Sequence, residues 1–320
     1  MQKRLDMLKT ELLGRFEVRK TVKQKEAFAA WACQNAEEAG WQTRIEKSGK
    51  LVDTRNIVFG DLQKAKTLIT AHYDTCARLP FPNFMTPKCW PVIFLTQLLL
   101  PVAAMLAIGF LAGFGAGKLV GVLGVSERAS MMATLLIAYA ALGGVVWLLL
   151  GGPANPHTAN DNTSGVAAVL LLLHALSGRE DVAFVLFDNE EKGLLGSSAF
   201  VKRYPALQKR VFVVNLDCIS DGDTLLYAGS KAGMKCGAAQ KILAALEEIA
   251  PTYGKRAEQG ISPGTLYPSD QMAFKLGTAF AALKGKRILY LDRIHTAKDT
   301  VFEDKNLLCI AEAIETGLRQ

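Results

Sequence analysis

The chain has 320 residues, 50% of them hydrophobic, and a formal net charge of +7, enough apolar content for one large core or two smaller ones. Its basic residues are dispersed, with no dense Lys/Arg block and no aromatic-basic module, which argues against nucleic acid as a partner. Six cysteines, Cys33, Cys76, Cys89, Cys218, Cys236 and Cys309, show no CxxC spacing and read as free thiols of a reducing compartment rather than a disulfide framework.

Met1 to Arg19 alternates charged and apolar residues and lacks the apolar core of a signal peptide. Leu5, Leu8, Leu12, Leu13 and Phe16 have helical spacing, and a second helix is predicted from about Lys23 to Ala39. Strands are expected at Trp41–Lys47, Thr54–Phe59 and Thr67–Ala71, the last running into His72-Tyr73-Asp74-Thr75. Composition then changes. Cys89 to Gly117 carries no charge, and Ala129 to Leu150 is a second uncharged apolar stretch. Each exceeds the roughly 20 residues that span a bilayer. Trp90 and Trp147 lie near the ends facing the rest of the chain, as interfacial aromatics do. Residues 89–150 are therefore expected to form a transmembrane hairpin inserted into one domain built from 1–88 and 151–320.

After the hairpin, Asn155 to Gly165 reads as a polar loop leading into a helix from Val166 to Leu176. Val182 to Phe187 is a buried-strand pattern that ends in Asp188-Asn189-Glu190-Glu191-Lys192-Gly193, a carboxylate pair that burial makes costly unless a partner or metal is present. A helix over Ser197–Tyr204, a strand over Arg210–Leu216 ending at Asp217, and a helix over Ala238–Ala250 follow. Tyr267 to Asp270 is a loop, Arg287–Leu291 a last strand leading to His295, and Lys305–Leu318 the closing helix. Strands alternate with helices and the polar residues gather behind the strands. The pattern predicts an α/β fold, a mostly parallel central sheet flanked by helices, with its site at the carboxyl edge.

Taken together, His72-Tyr73-Asp74, Ala159 to Gly165, Asp188 to Ser197, Asn215-Leu216-Asp217 and His295 to Thr300 resemble, in order, the motifs of the di-zinc aminopeptidases of clan MH, peptidase family M28. The family holds leucyl aminopeptidases, aminopeptidase S and aminopeptidase Y, with glutaminyl cyclases as relatives. The resemblance implies two zinc ions. His72 and Asp217 would hold one, Glu191 and His295 the other, and Asp161 would bridge them. Glu190 would be the general acid/base, and Asp74 would orient His72. It further implies peptide substrates, cleaved at the N-terminal residue by a metal-bridging hydroxide. The sequence departs from the pattern at Gln271, where the family often carries His, and in the hairpin insert.

Other residues receive simpler readings. His157 is a loop residue, His174 packs on a helix, and Cys218 is a small core residue pointing away from Asp217 along a strand. Asp299, Thr300 and Asp270 are expected to brace the His295 loop. The resulting expectation is a multi-pass zinc exopeptidase of the cell membrane, with its catalytic domain in the cytoplasm and lipid contacts through residues 89–150. Two alternatives stand beside it: a glutaminyl-cyclase-like acyltransferase using one zinc, and a non-catalytic membrane scaffold of the same fold.

Overall fold

The computed structural model describes residues 1–49, 52–79, 81–124 and 126–319. Two N-terminal helices, α1 (Gln2–Arg15) and α2 (Val22–Glu38), precede three strands, β1 (Thr43–Ser48), β2 (Thr54–Phe59) and β3 (Thr67–His72). A capping box starts α2. The Thr21 side chain accepts from the Gln24 amide, and the Gln24 side chain accepts from the Thr21 amide. Two long apolar helices come next, α3 (Trp90–Val122) and α4 (Glu127–Gly151), each containing an 18-residue stretch of mean hydropathy 2.2. Helix α5 (Gly165–Ala175) leads to β4 (Val182–Phe187), α6 (Leu195–Arg203), α7 (Pro205–Arg210) and β5 (Phe212–Leu216). The chain continues through β6 (Thr224–Gly229), α8 (Lys231–Met234), α9 (Gly237–Ile249), β7 (Arg256–Ile261), β8 (Leu276–Leu283) and α10 (Asp304–Arg319).

The eight strands form one mixed sheet in the order β1-β2-β4-β3-β5-β8-β6-β7. Its centre, β4-β3-β5-β8, is parallel, and β2 and β6 join that centre antiparallel on either side. The central strands are buried on both faces, as their apolar runs require. Alternate residues of β4 divide between two layers. Val182, Phe184 and Leu186 join the larger core beneath α1, α2, α5, α9 and α10, while Ala183, Val185 and Phe187 join a smaller one beneath α6 and α7.

Arg287–Leu291, expected to be a strand, is not one. Lys284↔Tyr290 and Met85↔Leu291 are isolated bridges in a loop. The last strand of the sheet is β8, twelve residues before His295 at its closest end.

The two ends of the apolar hairpin return to one place. Ala77 and Ala154 form an antiparallel bridge, and the Arg78 amide donates to the Pro153 carbonyl at 2.9 Å. Helix α3 has 33 residues, about 50 Å of rise, well beyond a hydrocarbon core of about 30 Å. Its first turns are spent on the globular part: Trp90 Nε1 donates to the Pro263 carbonyl at 2.7 Å, and Thr96 Oγ1 and Gln97 Nε2 donate to the Phe84 carbonyl at 2.9 and 2.8 Å. A widened turn over Phe94–Leu99 follows, where Pro101 lacks an amide donor and its ring would crowd the Gln97 carbonyl. Beyond it, Gly109, Gly113 and Gly117 face Leu142, Thr134 and Ala138 of α4, so that the two backbones approach closely.

Candidate metal centre

Five segments deliver their polar ends to the carboxyl edge of the parallel strands. His72 is the last residue of β3, Asp217 follows β5, and Glu190-Glu191 form a short turn after β4. Asp161 lies just before α5, and His295 in the loop after β8. Gly165 allows the approach of Asp161 to Asp217: a Cβ there would meet the Leu216 carbonyl oxygen at 2.2 Å. The turn after β4 is tight, with Asn189 and Leu194 both in the left-handed region at φ 54° and 59°. Such conformations cost energy and persist where the surroundings enforce them.

The sequence-predicted residues converge. Asp161 Oδ1 lies 3.3 Å from His72 Nε2, and its Oδ2 lies 3.0 Å from His295 Nε2. His72 Nε2 is also 3.5 Å from Asp217 Oδ1, and His295 Nε2 is 3.1 Å from Glu191 Oε2. Two donor sets therefore share one carboxylate. His72, Asp161 and Asp217 form one compact group, and Glu190 shares another with His72 and Glu191. The His72 side chain is 1% exposed and that of His295 29%, so the open side of the cluster is the His295 side.

Five carboxylates crowd two imidazoles here, and the electrostatics record it. Burial pushes the Glu190 carboxyl well above its ordinary range, with His72 partly offsetting it. Burial opposes a charge on His72, but Glu190, then Asp161, Asp217 and Asp74, raise it well above the usual histidine value. His295 is raised in the same way, against burial, by Glu191 and Asp161. Burial disfavours the Asp161 carboxylate, yet His295 and His72 hold it below the ordinary range. Without cations, such a cluster keeps protons to neutralise itself. Glu191 Oε1 remains a buried oxygen with no hydrogen-bond partner. An orphaned carboxylate oxygen among imidazole and carboxylate donors fits zinc, which takes these ligand types.

Around the cluster the structure refines several readings. Asp74 does approach His72, its Oδ1 3.7 Å from Nδ1, but the closer contact of Nδ1 is the Asp74 carbonyl at 3.2 Å. The Asp74 carboxylate mainly accepts from the amides of Glu190 and Glu191, at 3.0 and 3.3 Å. Asp299 braces the His295 loop, on which it lies, by tying it to a second loop: its amide donates to the Thr296 carbonyl and its carbonyl accepts from the Ala159 amide, both at 3.1 Å. Its carboxylate accepts from the amides of Asn160 and Asp161 at 2.8 and 3.0 Å, fixing the other loop. Burial and Asp161 push its carboxyl up to about 8. Thr300 is exposed and makes no side-chain hydrogen bond among the described residues. Asp270 is fully buried and raised to about 7 by burial, and neither of its carboxylate oxygens has a hydrogen-bond partner among the described residues. Gln271 is tied up in structure, donating to the Tyr267 carbonyl at 2.6 Å and accepting from Asn215 at 3.3 Å.

His157 pairs with Glu17 at 3.3 Å, and His174 Nδ1 with Arg4 at 3.1 Å, consistent with the simpler readings of both. Cys218 is a buried core residue, although it lies past the end of β5 with φ 54° rather than on the strand. Two buried residues went unnoticed in the sequence, and a third, Cys76, was read only as a free thiol. The Arg19 guanidinium donates to the Tyr73 carbonyl at 2.5 Å and to Thr163 Oγ1 at 3.2 Å, tying the loops that carry His72 and Asp161; burial lowers it to about 10. Lys25 is paired with Asp188 and donates to Asn189 Oδ1 at 2.8 Å. Cys76 lies beside Glu191 and His295.

The profile of peptidase family M28 matches residues 58–314. The chain belongs to peptidase family M28. The match begins inside β2, so Arg19 and Lys25 lie outside it. A search of curated proteins gives no match. Among solved structures, a Porphyromonas gingivalis glutaminyl cyclase aligns with a TM-score of 0.59 and 16% identity, over 99% of this chain and 97% of that one. A leucine aminopeptidase precursor from Bacteroides thetaiotaomicron aligns at 0.57 and 16%, over 100% and 97%. A Zn-dependent exopeptidase from Parabacteroides distasonis aligns at 0.56 and 13%, over 98% and 95%. Identities this low speak to the fold, a mixed α/β sheet flanked by helices, and leave activity to be argued from the site.

Proposed function

We propose that the chain is a membrane-anchored aminopeptidase that holds two zinc ions. The observation that carries this reading is Asp161, whose two oxygens address two different histidines, His72 at 3.3 Å and His295 at 3.0 Å. A carboxylate so divided suits a pair of cations better than one. In this reading His72 and Asp217 hold one ion, Glu191 and His295 the other, and Asp161 is shared. When bound, the ions acidify a water and polarise a carbonyl. Glu190 takes the water's proton and returns it to the leaving amine, a role suited to a carboxyl whose pKa burial has raised. Asp74 holds the Glu190 amide and so aims that side chain. The half-open His295 side admits a peptide N-terminus.

The hairpin base adjoins the same side, since the Leu79 amide donates to the His295 carbonyl at 2.8 Å and Asn155 Nδ2 to the Thr296 carbonyl at 2.9 Å. We take residues 89–150 as the anchor and 1–88 with 151–320 as the catalytic domain.

The second reading is a glutaminyl-cyclase-like acyltransferase, favoured by the end-to-end fold likeness to the P. gingivalis enzyme. One experiment separates the two. Purified protein is analysed for zinc per chain and incubated with peptides bearing different N-terminal residues, glutamine included. Two zinc ions with release of free N-terminal amino acids supports the aminopeptidase. One zinc with conversion of N-terminal glutamine to pyroglutamate, and no release, overturns it. A protein that binds zinc and does neither is the non-catalytic scaffold.

A further inference from the structure

We propose that the Cys76 thiolate is a protein ligand at the Glu191–His295 half of the metal centre. This rests on the two-metal reading, and the experiment below separates the failure of either.

Cys76 follows β3 by four residues and is 1% exposed. Its Sγ, a Glu191 carboxylate oxygen and a His295 ring nitrogen all lie within 4.8 Å of one another. A buried cysteine ordinarily behaves as a small hydrophobe and packs in the core. This one belongs to none of the three apolar clusters of the described residues, whereas Cys218, beside Asp217, packs among Leu226, Tyr267 and Ile294.

An independent observation points to a cation at the same spot. The Glu191 side chain is 8% exposed, Oε2 faces His295, and Oε1 has no partner. A buried carboxylate oxygen is costly to leave unpaired. Asp161 Oδ2, 3.0 Å from His295 Nε2, adds a further donor. Sulfur, imidazole and carboxylate are all ligand types that zinc takes, and zinc can expand its coordination to keep a position open for water. The thiol would lose its proton to solvent as the metal binds.

The His72 half has only nitrogen and oxygen donors, His72, Asp161 and Asp217. One soft ligand would make the two halves unequal. It would bias the Glu191–His295 half toward zinc, cobalt or cadmium and against manganese or magnesium.

The test uses the full-length protein in detergent, stripped of metal and titrated with Co²⁺ while absorbance is recorded. The wild type should bind two cobalt ions per chain and develop a near-ultraviolet sulfur-to-cobalt charge-transfer band alongside the visible cobalt bands. Cys76→Ser should lose the charge-transfer band and keep the visible ones. Its affinity for one of the two ions should fall by roughly tenfold or more, at least the loss seen when a supporting residue is removed. Cys218→Ser should retain the band. Two cobalt ions bound by the wild type without the band overturns the thiolate ligand and leaves the metal centre standing; a band that survives in Cys76→Ser does the same. No cobalt uptake overturns the metal centre and the ligand with it.

Discussion

The Asp74 carboxylate accepts a hydrogen bond from the Glu190 amide at 3.0 Å, so the loop after β3 holds the turn that carries Glu190 after β4 by its backbone. The position of Glu190 thus depends on a fixed turn, and its side-chain chemistry can be changed without disturbing that turn. Glu190→Gln should keep the fold and both zinc ions, because Glu190 is not a ligand in the proposed assignment. Peptide hydrolysis should fall by roughly 10²–10⁴-fold, the range for loss of general acid–base catalysis. Turnover within a factor of ten of the wild type, with full zinc content, would remove Glu190 from its role.

Asp161 is predicted to behave in the opposite way. Asp161→Ala removes the shared carboxylate and leaves two cations to repel at close range. Zinc per chain should drop well below that of Glu190→Gln prepared in parallel, with the amides of Asn160 and Asp161 still held by Asp299. Equal zinc in the two variants, measured by elemental analysis, would reduce Asp161 to a loop residue.

What the sequence made legible, and what it hid, has physical causes. Val182–Phe187 and Thr67–His72 are continuous apolar runs because both faces are covered, and each ends in a polar motif where the sheet stops. Strands β6, β7 and β8 were missed. Edge strand β7 carries Arg256, Glu258 and Gln259, polar as an exposed edge should be. In β8, Gly277 stands where a Cβ would meet the Gln271 carbonyl at 2.0 Å, a small residue demanded by packing that weakens the strand signal. Arg287–Leu291 has strand-like residues but no neighbouring strand to pair with beyond single bridges. Arg19 and Lys25 drew no individual reading, since such residues are usually exposed, and only the fold reveals that they are buried beside the site.

Lys25 and Asp188 are 7% and 1% exposed and form a buried ion pair, and the second Asp188 oxygen accepts from the Arg55 amide at 2.9 Å. Lys25→Met should leave that carboxylate buried and uncompensated, at a cost of roughly 3–5 kcal/mol. The double variant Lys25→Met/Asp188→Asn should recover part of the loss. Thermal midpoints of the three proteins in one detergent would check this. A Lys25→Met midpoint equal to that of the wild type would mean the pair contributes nothing.

His174 gives a pH dependence away from the metals. Burial, then Arg4, lowers it below the usual 6.5. Its neutral form is therefore favoured in the folded chain. The stability it contributes is complete above pH 6.5 and is lost as pH falls through the depressed folded value. Thermal midpoints of wild type and His174→Gln should differ in their pH slopes below 6.5, the wild type falling more steeply on acidification. Parallel slopes would show that His174 is not coupled to folding.

The hairpin prediction follows from where its ends meet. His72 precedes it and Asp161 follows it, both face one cluster, and Ala77 pairs with Ala154 at its base. The chain must therefore cross any membrane an even number of times between them, and α3 and α4 are long and apolar enough for two crossings. Their outward faces suit lipid: Phe110, Leu111, Leu136 and Tyr139 are each 65–70% exposed. Lys118, near the end of α3, and Arg128, in the first turn of α4, lie at the far end of the hairpin rather than in the loop expected from the sequence, while Arg78, Lys88 and Arg179 lie on the globular side, so charge alone gives modest guidance on direction. Val125 of that loop lies outside the described residues. We propose the orientation that leaves the globular part in the cytoplasm, where its cysteines would stay reduced. A cysteine introduced at exposed Ser126, in a background without the native cysteines, should react with an impermeant thiol reagent on intact cells. One introduced at exposed Lys231 should react only after lysis. Labelling of the Lys231 position on intact cells would invert the orientation, and release of the protein by alkaline carbonate would mean that α3 and α4 do not span the bilayer.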